Sequence, residues 1–244
     1  MLGWVAVARP RVLVLTDGSG RTGADRLAAS RQVIAAQGAE PGRLFGHASD
    51  ARFYQAMLAL DSGFFLEILE ALAAEIETSG ASLVIGDAAE GYNPTHDLCR
   101  AMIDAAVELV RGRTGRPLQN YAFALTEWET RFAGAKPPVE LSLDPSAHAA
   151  KVAACRSYAQ MDREVDSAIG SKGEAYFALE TFWPIEGLSA LPLDPLYDAI
   201  GADRVRSGAY SQVVHSTRHV EPLAAAIRAY VERETAAPRI SAHA

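Results

Sequence analysis

The segment Gly86-Asp87-Ala88-Ala89-Glu90-Gly91-Tyr92-Asn93-Pro94-Thr95-His96-Asp97 gathers three acids, an amide, a phenol and an imidazole in a short stretch. It follows the apolar run Leu83-Val84-Ile85, which predicts a buried strand opening directly onto a polar loop. Open α/β sheets bind ligands at the carboxyl ends of their strands, so this loop is the first candidate for a site. Pro94 favours a helix start there, and the unpaired N–H groups of that start would lie beside the acids. His96 has Asp97 next to it and Asn93 three residues earlier, a setting that suits a metal-ligating imidazole. One imidazole is a single ligand where catalytic zinc takes about three from the protein, and an imidazole hydrogen-bonded to backbone at a helix start is the competing reading.

Other chemistry-bearing residues carry weaker patterns. Asp17 and Gly18 follow the apolar run Val12 to Thr16 and could share a pocket edge with the His96 loop, or Asp17 could cap a tight turn. Gly18-Ser19-Gly20 lacks both GxGxxG and a Walker lysine. His215 and His219 have the i, i+4 spacing of a metal clasp, but no HExxH surrounds them, and the residues from Gly208 to Val214 read equally as strand or loop. Ser19, Ser157 and Ser211 lack the GxSxG context of a serine hydrolase. Glu174, Tyr176, Glu180 and Trp183 could line a channel, though aromatic residues so spaced more often pack a core.

The elements that must position these groups follow from periodicity. Val12 to Thr16 reads as a fully buried strand, with helical patterns at about 24–37, 53–60 and 64–77 before the strand at Leu83 to Ile85. An amphipathic helix over Leu98 to Val110, strands at Tyr121 to Leu125 and Val139 to Leu143, and one long helix from Pro145 to about Ile169 come next. That long helix would carry Lys151, Arg156 and Arg163 on its polar faces. A proline-containing stretch from Leu188 to Pro195 leads to a final helix at about 222–234. Strands alternating with helices imply an α/β fold with a mostly parallel sheet and a C-terminal extension. A single domain over 1–235 and a disordered tail over 236–244 are expected.

Composition narrows the function classes. With 49% hydrophobic residues, 244 residues suffice for a packed core, and a net charge of −7 argues against a nucleic-acid partner. The apolar start from Met1 to Ala8 is too short to span a membrane and lacks a basic leader region. Cys99 and Cys155 lie far apart without CxxC spacing, which fits a reducing compartment, so a cytoplasmic location is expected.

Several segments resemble the LmbE-like or PIG-L family of metal-dependent de-N-acetylases. Val12-Leu13-Val14-Leu15-Thr16-Asp17-Gly18 is similar to the family's second strand and Thr-Asp-Gly turn. Arg26 and Gly38 resemble the ends of its R-x-x-E helix, with Ala29 in place of the Glu. Glu90-Gly91-Tyr92-Asn93-Pro94-Thr95-His96-Asp97 resembles its Gly-His-Pro-Asp-His-Asp segment, with Asn93 and Thr95 replacing a His and an Asp, and His96 falls on the metal-binding His. Lys151 with Tyr158-Ala159-Gln160, and Arg204, Gly208 and Tyr210 with His219 to Leu223, are similar to later regions of the family. The likeness spans about 11–228.

The resemblance implies a Rossmann-like three-layer sandwich and a zinc-bound water that attacks the amide carbonyl of an N-acyl amino sugar or other acylated amine, an Asp serving as base. It implies His96 on the metal, Asn93 and Asp97 as catalytic groups, and Asp17, Gly18, Arg26, Glu90 and Tyr92 around the substrate. The family's His-Pro-Asp-Asp-Glu segment, with two zinc ligands and the base, does not occur in this chain. Three expectations follow: a start downstream of the true one, a non-catalytic sugar-binding or interaction protein, or a different activity rebuilt around Glu90, Asn93, His96 and Asp97. An absent first strand would also leave apolar surface open to homo-oligomer formation.

Overall fold

The computed structural model describes residues 1–20, 23–125, 138–158 and 162–236. Of the tail expected over 236–244, Ala236 is instead the last residue of a helix and 237–244 lie outside the described residues, as do Ala159 and Gln160 of the family likeness. In chain order the elements are α1 (Leu2–Ala8), β1 (Arg11–Thr16), α2 (Leu27–Ala36), β2 (Glu40–Ala48), α3 (Asp50–Leu58), α4 (Ser62–Ser79), β3 (Leu83–Asp87) and α5 (Pro94–Thr114). They continue as β4 (Gln119–Phe123), β5 (Val139–Ser142), α6 (Pro145–Arg156), α7 (Asp162–Lys172), β6 (Leu179–Pro184), α8 (Tyr197–Arg206) and α9 (Glu221–Ala236). The chain is therefore mixed α/β, and its contacts divide it into two compact units.

The first unit comprises Met1–Phe53 with Gly134–Trp183. β1 and β2 pair in parallel, Val14 opposite Phe45 and Thr16 opposite Ala48, while β5 and β6 pair antiparallel, Val139 opposite Phe182. Val5, Ile34, Ala39 and Phe45 form a buried cluster on which Trp4, Val12, Val14 and Leu27 pack. β1 departs from the fully buried strand expected of it, since Leu15 is its one buried residue. An apolar run demands an apolar neighbour on at least one face and does not specify cover on both.

The single helix expected from Pro145 to Ile169 ends at Arg156. The Ser157 hydroxyl turns back to the Ala154 carbonyl at 2.8 Å, and the Tyr158 hydroxyl lies 3.0 Å from that of Ser30. Lys151, expected on a polar face, is buried and pairs with Glu180 at 2.8 Å. Glu180 is buried too and accepts the backbone N–H groups of Gly3 and Trp4 at 2.9 and 2.7 Å. Of the aromatic and acidic stretch, Trp183 is buried and Tyr176 is exposed.

The second unit comprises Tyr54–Ala133 with Pro184–Ala244. β3 and β4 pair in parallel from Leu83 opposite Gln119 to Asp87 opposite Phe123. Asp61 caps α4 by accepting the Phe64 N–H at 3.2 Å, and Gly80, at φ 67°, ends it. Apolar residues at helical spacing, Phe65, Ile68, Leu69 and Leu72 on α4 and Leu98, Met102 and Leu109 on α5, are buried, as are Leu223 and Ile227 on α9. Glu70 ties these three helices, taking Arg113 at 2.7 Å and the Tyr230 hydroxyl at 2.6 Å. Leu83, Val84 and Ile85 are half-buried, less covered than their run predicts. Gly86 allows α5 to approach the strand, because a side chain there would meet Ile103 Cδ1 at 2.4 Å. Among the described residues no helix is long and apolar enough to cross a membrane.

Candidate functional site

β3 delivers Asp87 at its carboxyl end, and α5 begins seven residues later. Asn93 caps the helix, its side-chain oxygen accepting the Thr95 N–H at 2.9 Å, and Pro94 occupies the first turn, where no N–H is needed. His96 therefore sits on the first turn, where its Nδ1 lies 2.6 Å from Asp87 Oδ2 as a close ion-pair contact rather than an aligned hydrogen bond. Burial disfavours the imidazolium, but the carboxylates of Asp87, Glu90 and Asp97 outweigh it and raise the His96 pKa above its ordinary value.

The other acids hold the loop in shape. Asp97 is fully buried, and its Oδ1 accepts the N–H groups of Glu90 and Gly91 at 2.9 and 3.1 Å. Glu90, also buried, accepts the Leu125 N–H at 2.9 Å, joining the loop after β3 to the exit of β4. Tyr92 is half exposed on the same loop. The Asn93 oxygen serves the cap, so its amide NH2 is the group chemically suited to donate to a ligand. Burial, with Asp87 second, pushes the Cys99 thiol far up, so a thiolate nucleophile is not its resting form.

Asp17, Gly18 and Arg26 belong to the first unit and cluster there around a turn. Asp17 Oδ1 accepts from Ser19 N, Ser19 Oγ and Asp50 N at 2.9, 2.6 and 3.1 Å, and the Asp17 carbonyl accepts the Arg26 N–H at 2.8 Å. Slight burial would raise the Asp17 pKa, but these hydrogen bonds, Ser19 first, bring it below the usual carboxylate value.

A second group of residues in the His96 unit escaped the sequence reading. Arg100, one turn beyond His96, is buried; it donates to Tyr121 O at 3.1 Å and Asn120 Oδ1 at 2.7 Å, and it pairs with Asp104 at 2.7 Å. Asp104 also accepts Asn120 Nδ2 at 2.7 Å and the Ser189 N–H at 3.0 Å. The loop around Ser189 and the residues just after β3, Ala88 and Ala89, border a cavity of about 430 Å3 that Arg100 also lines. The i, i+4 spacing of Arg100 and Asp104 was the available signal, but on a helix it reads as a solvated pair until the neighbouring elements are placed.

The residues from Gly208 to Val214, expected as strand or loop, are turns and loop. His215 immediately precedes a π-turn at Ser216–Val220 and His219 lies within it; the rings stack at 5.9 Å, and His219 Nδ1 accepts the His215 N–H at 2.8 Å. His215 Nδ1 lies 3.0 Å from Asp198. Among the described residues no group of three or more His, Cys, Asp or Glu side chains could hold a metal ion. The chain matches no family model, no curated protein and no solved structure.

Proposed function

We propose that the loop after β3 binds an N-acyl amino sugar or related amide, in an LmbE-like protein with a Rossmann-like three-layer fold, and that its chemistry is zinc-dependent removal of the acyl group. The observation that carries this reading is His96 with Asp87 behind it. The Asp87 carboxylate stands 2.6 Å from Nδ1, on the side where metal-bound histidines carry an acceptor, which would leave Nε2 to face a metal. Asn93, by its amide NH2, would steady an oxyanion, while Asp97 fixes the loop. When bound, zinc would supply a water activated near neutral pH.

The described residues do not by themselves make a catalytic zinc site, since His96 is one donor and no cluster of three surrounds it. That shortfall favours a second reading, a non-catalytic binder of the same small-molecule class. The free cysteines, Cys99 and Cys155, support a reducing, cytoplasmic setting for either. Elemental analysis of the purified chain and of His96→Ala, with acetate release from N-acetylglucosamine measured alongside, tests the hydrolase. The expected result is about one zinc per chain and measurable release, both lost in a folded variant. Absence of zinc and release from both proteins overturns the hydrolase, and calorimetric binding of N-acetylglucosamine would then support the binder.

A further inference from the structure

We infer that His219 makes the junction between α8 and α9 proton-sensitive: as a neutral imidazole it closes the turn at Ser216–Val220, and as an imidazolium it opens that turn and loosens the contacts that hold the first turn of α8. This device does not depend on whether His96 holds zinc.

The geometry fixes the protonation state of the closed turn. His219 Nδ1 accepts the His215 N–H at 2.8 Å, so that nitrogen carries a lone pair and the single proton of the neutral ring sits on Nε2. An imidazolium has an N–H on both nitrogens and accepts at neither, so protonation would set two donors against each other at this point. The His215 carbonyl in turn accepts the N–H groups of His219 and Val220 at 3.0 and 3.4 Å. His215 is thereby held on both sides, by the ring at its N–H and by the π-turn at its carbonyl. Such turns are rare and frequent at functional sites.

The surrounding charges point the same way. The rings of His215 and His219 stack at 5.9 Å with 20° between their planes, so a proton on each would set like charges face to face. Asp198, in the first turn of α8, stands against the other ring, 3.0 Å from His215 Nδ1, and its second oxygen accepts the Ser216 N–H at 2.8 Å. Ser216 Oγ donates to Glu221 at the start of α9 at 3.1 Å, and on the α5 side Asp97, with Asp198 and Glu221, acts on the Tyr197 hydroxyl. Burial, then the neighbouring His215, with Arg218 on the same turn, push the His219 pKa below its ordinary value, while Asp198 pulls the other way. A folded pKa below the unfolded value of about 6.5 stabilises the closed turn above that value, and the contribution is lost as pH falls from about 6.5 through the folded value. Opening the turn carries away Ser216 and His215, the two groups that meet Asp198.

NMR of the full chain tests this. Long-range 1H–15N spectra of the imidazoles near neutral pH should show His219 protonated on Nε2 alone. Protection of the His215 amide against exchange, divided by that of the Ile227 amide within α9, should fall about tenfold between about pH 7 and about pH 5. His219→Asn places a carboxamide oxygen where Nδ1 stood and cannot take up a proton, so the His215 amide should stay protected at both pH values. A proton on His219 Nδ1 at neutral pH, or relative protection of the His215 amide that does not change with pH, would overturn the inference without any variant having to fold. A pH dependence that survives in folded His219→Asn would overturn it as well.

Discussion

Asp104 shows what a single buried carboxylate can organise. It is fully buried, and its two oxygens serve Arg100, the Asn120 amide and the Ser189 N–H, so a helix, a strand and a distant loop meet on one side chain. Removing it leaves the buried guanidinium without its charge partner and takes an acceptor from the Asn120 amide and the Ser189 N–H. Asp104→Ala should therefore cost about 3–5 kcal/mol in urea unfolding, whereas the double change Arg100→Met with Asp104→Leu should cost less, because no unpaired charge stays buried. A double variant as unstable as the single one would show that packing, not charge pairing, sets the cost. His96 was legible as a candidate because its neighbours in sequence are its neighbours in space. Asp104 was not, because Ser189 is 85 residues away.

At the scale of elements, the candidate site depends on two loops held against each other. The Gly91 carbonyl accepts the N–H groups of Leu196 and Tyr197 at 2.6 and 3.2 Å, fixing the start of α8 against the loop after β3. Gly91 has φ 70°, and a Cβ there would lie 2.9 Å from Pro195 Cα, which is backbone and cannot rotate away. Gly91→Ala should cost about 2 kcal/mol from the backbone conformation and the clash together, with faster amide exchange at Leu196 and Tyr197. Unchanged stability and exchange would mean that the loops are joined by other contacts. The start of α5 was readable from Asn93 and Pro94 because caps are local signals. The end of α6 was not, because the Tyr158 hydroxyl meets Ser30, 128 residues away.

Across the molecule, Glu180 is one carboxylate through which acid should lower stability. Burial alone would raise its pKa, but the Met1 ammonium at 2.7 Å and Lys151 at 2.8 Å outweigh it and hold the carboxyl at about 2. A folded pKa below the unfolded value of about 4.3 stabilises the fold above that value, on the order of 3 kcal/mol, and the contribution is lost as pH falls from about 4.3 toward 2. Urea midpoints across that window should drop for the natural chain and change less for Glu180→Gln. Equal slopes would show that other carboxylates carry the acid sensitivity. Glu180 binds Gly3 and Trp4 across separations of 177 and 176 residues, so its carboxylate ties distant parts of one unit together.

The sequence by itself determined the alternation of strands and helices, the polar loop after β3 and the helix start that places His96 on its first turn. Those features depend on hydrophobic period, caps and turn residues that act over a few positions. Only the tertiary structure decided that Asp87 stands behind His96, that Asp97 and Glu90 hold the loop, and that Lys151 is buried on Glu180. It also decided that Arg100 lies at a cavity with one donor unmatched among the described residues. A charged residue has the same local signature on a solvated helix face as in a buried pair. The difference lies in the desolvation and the partners that distant segments impose.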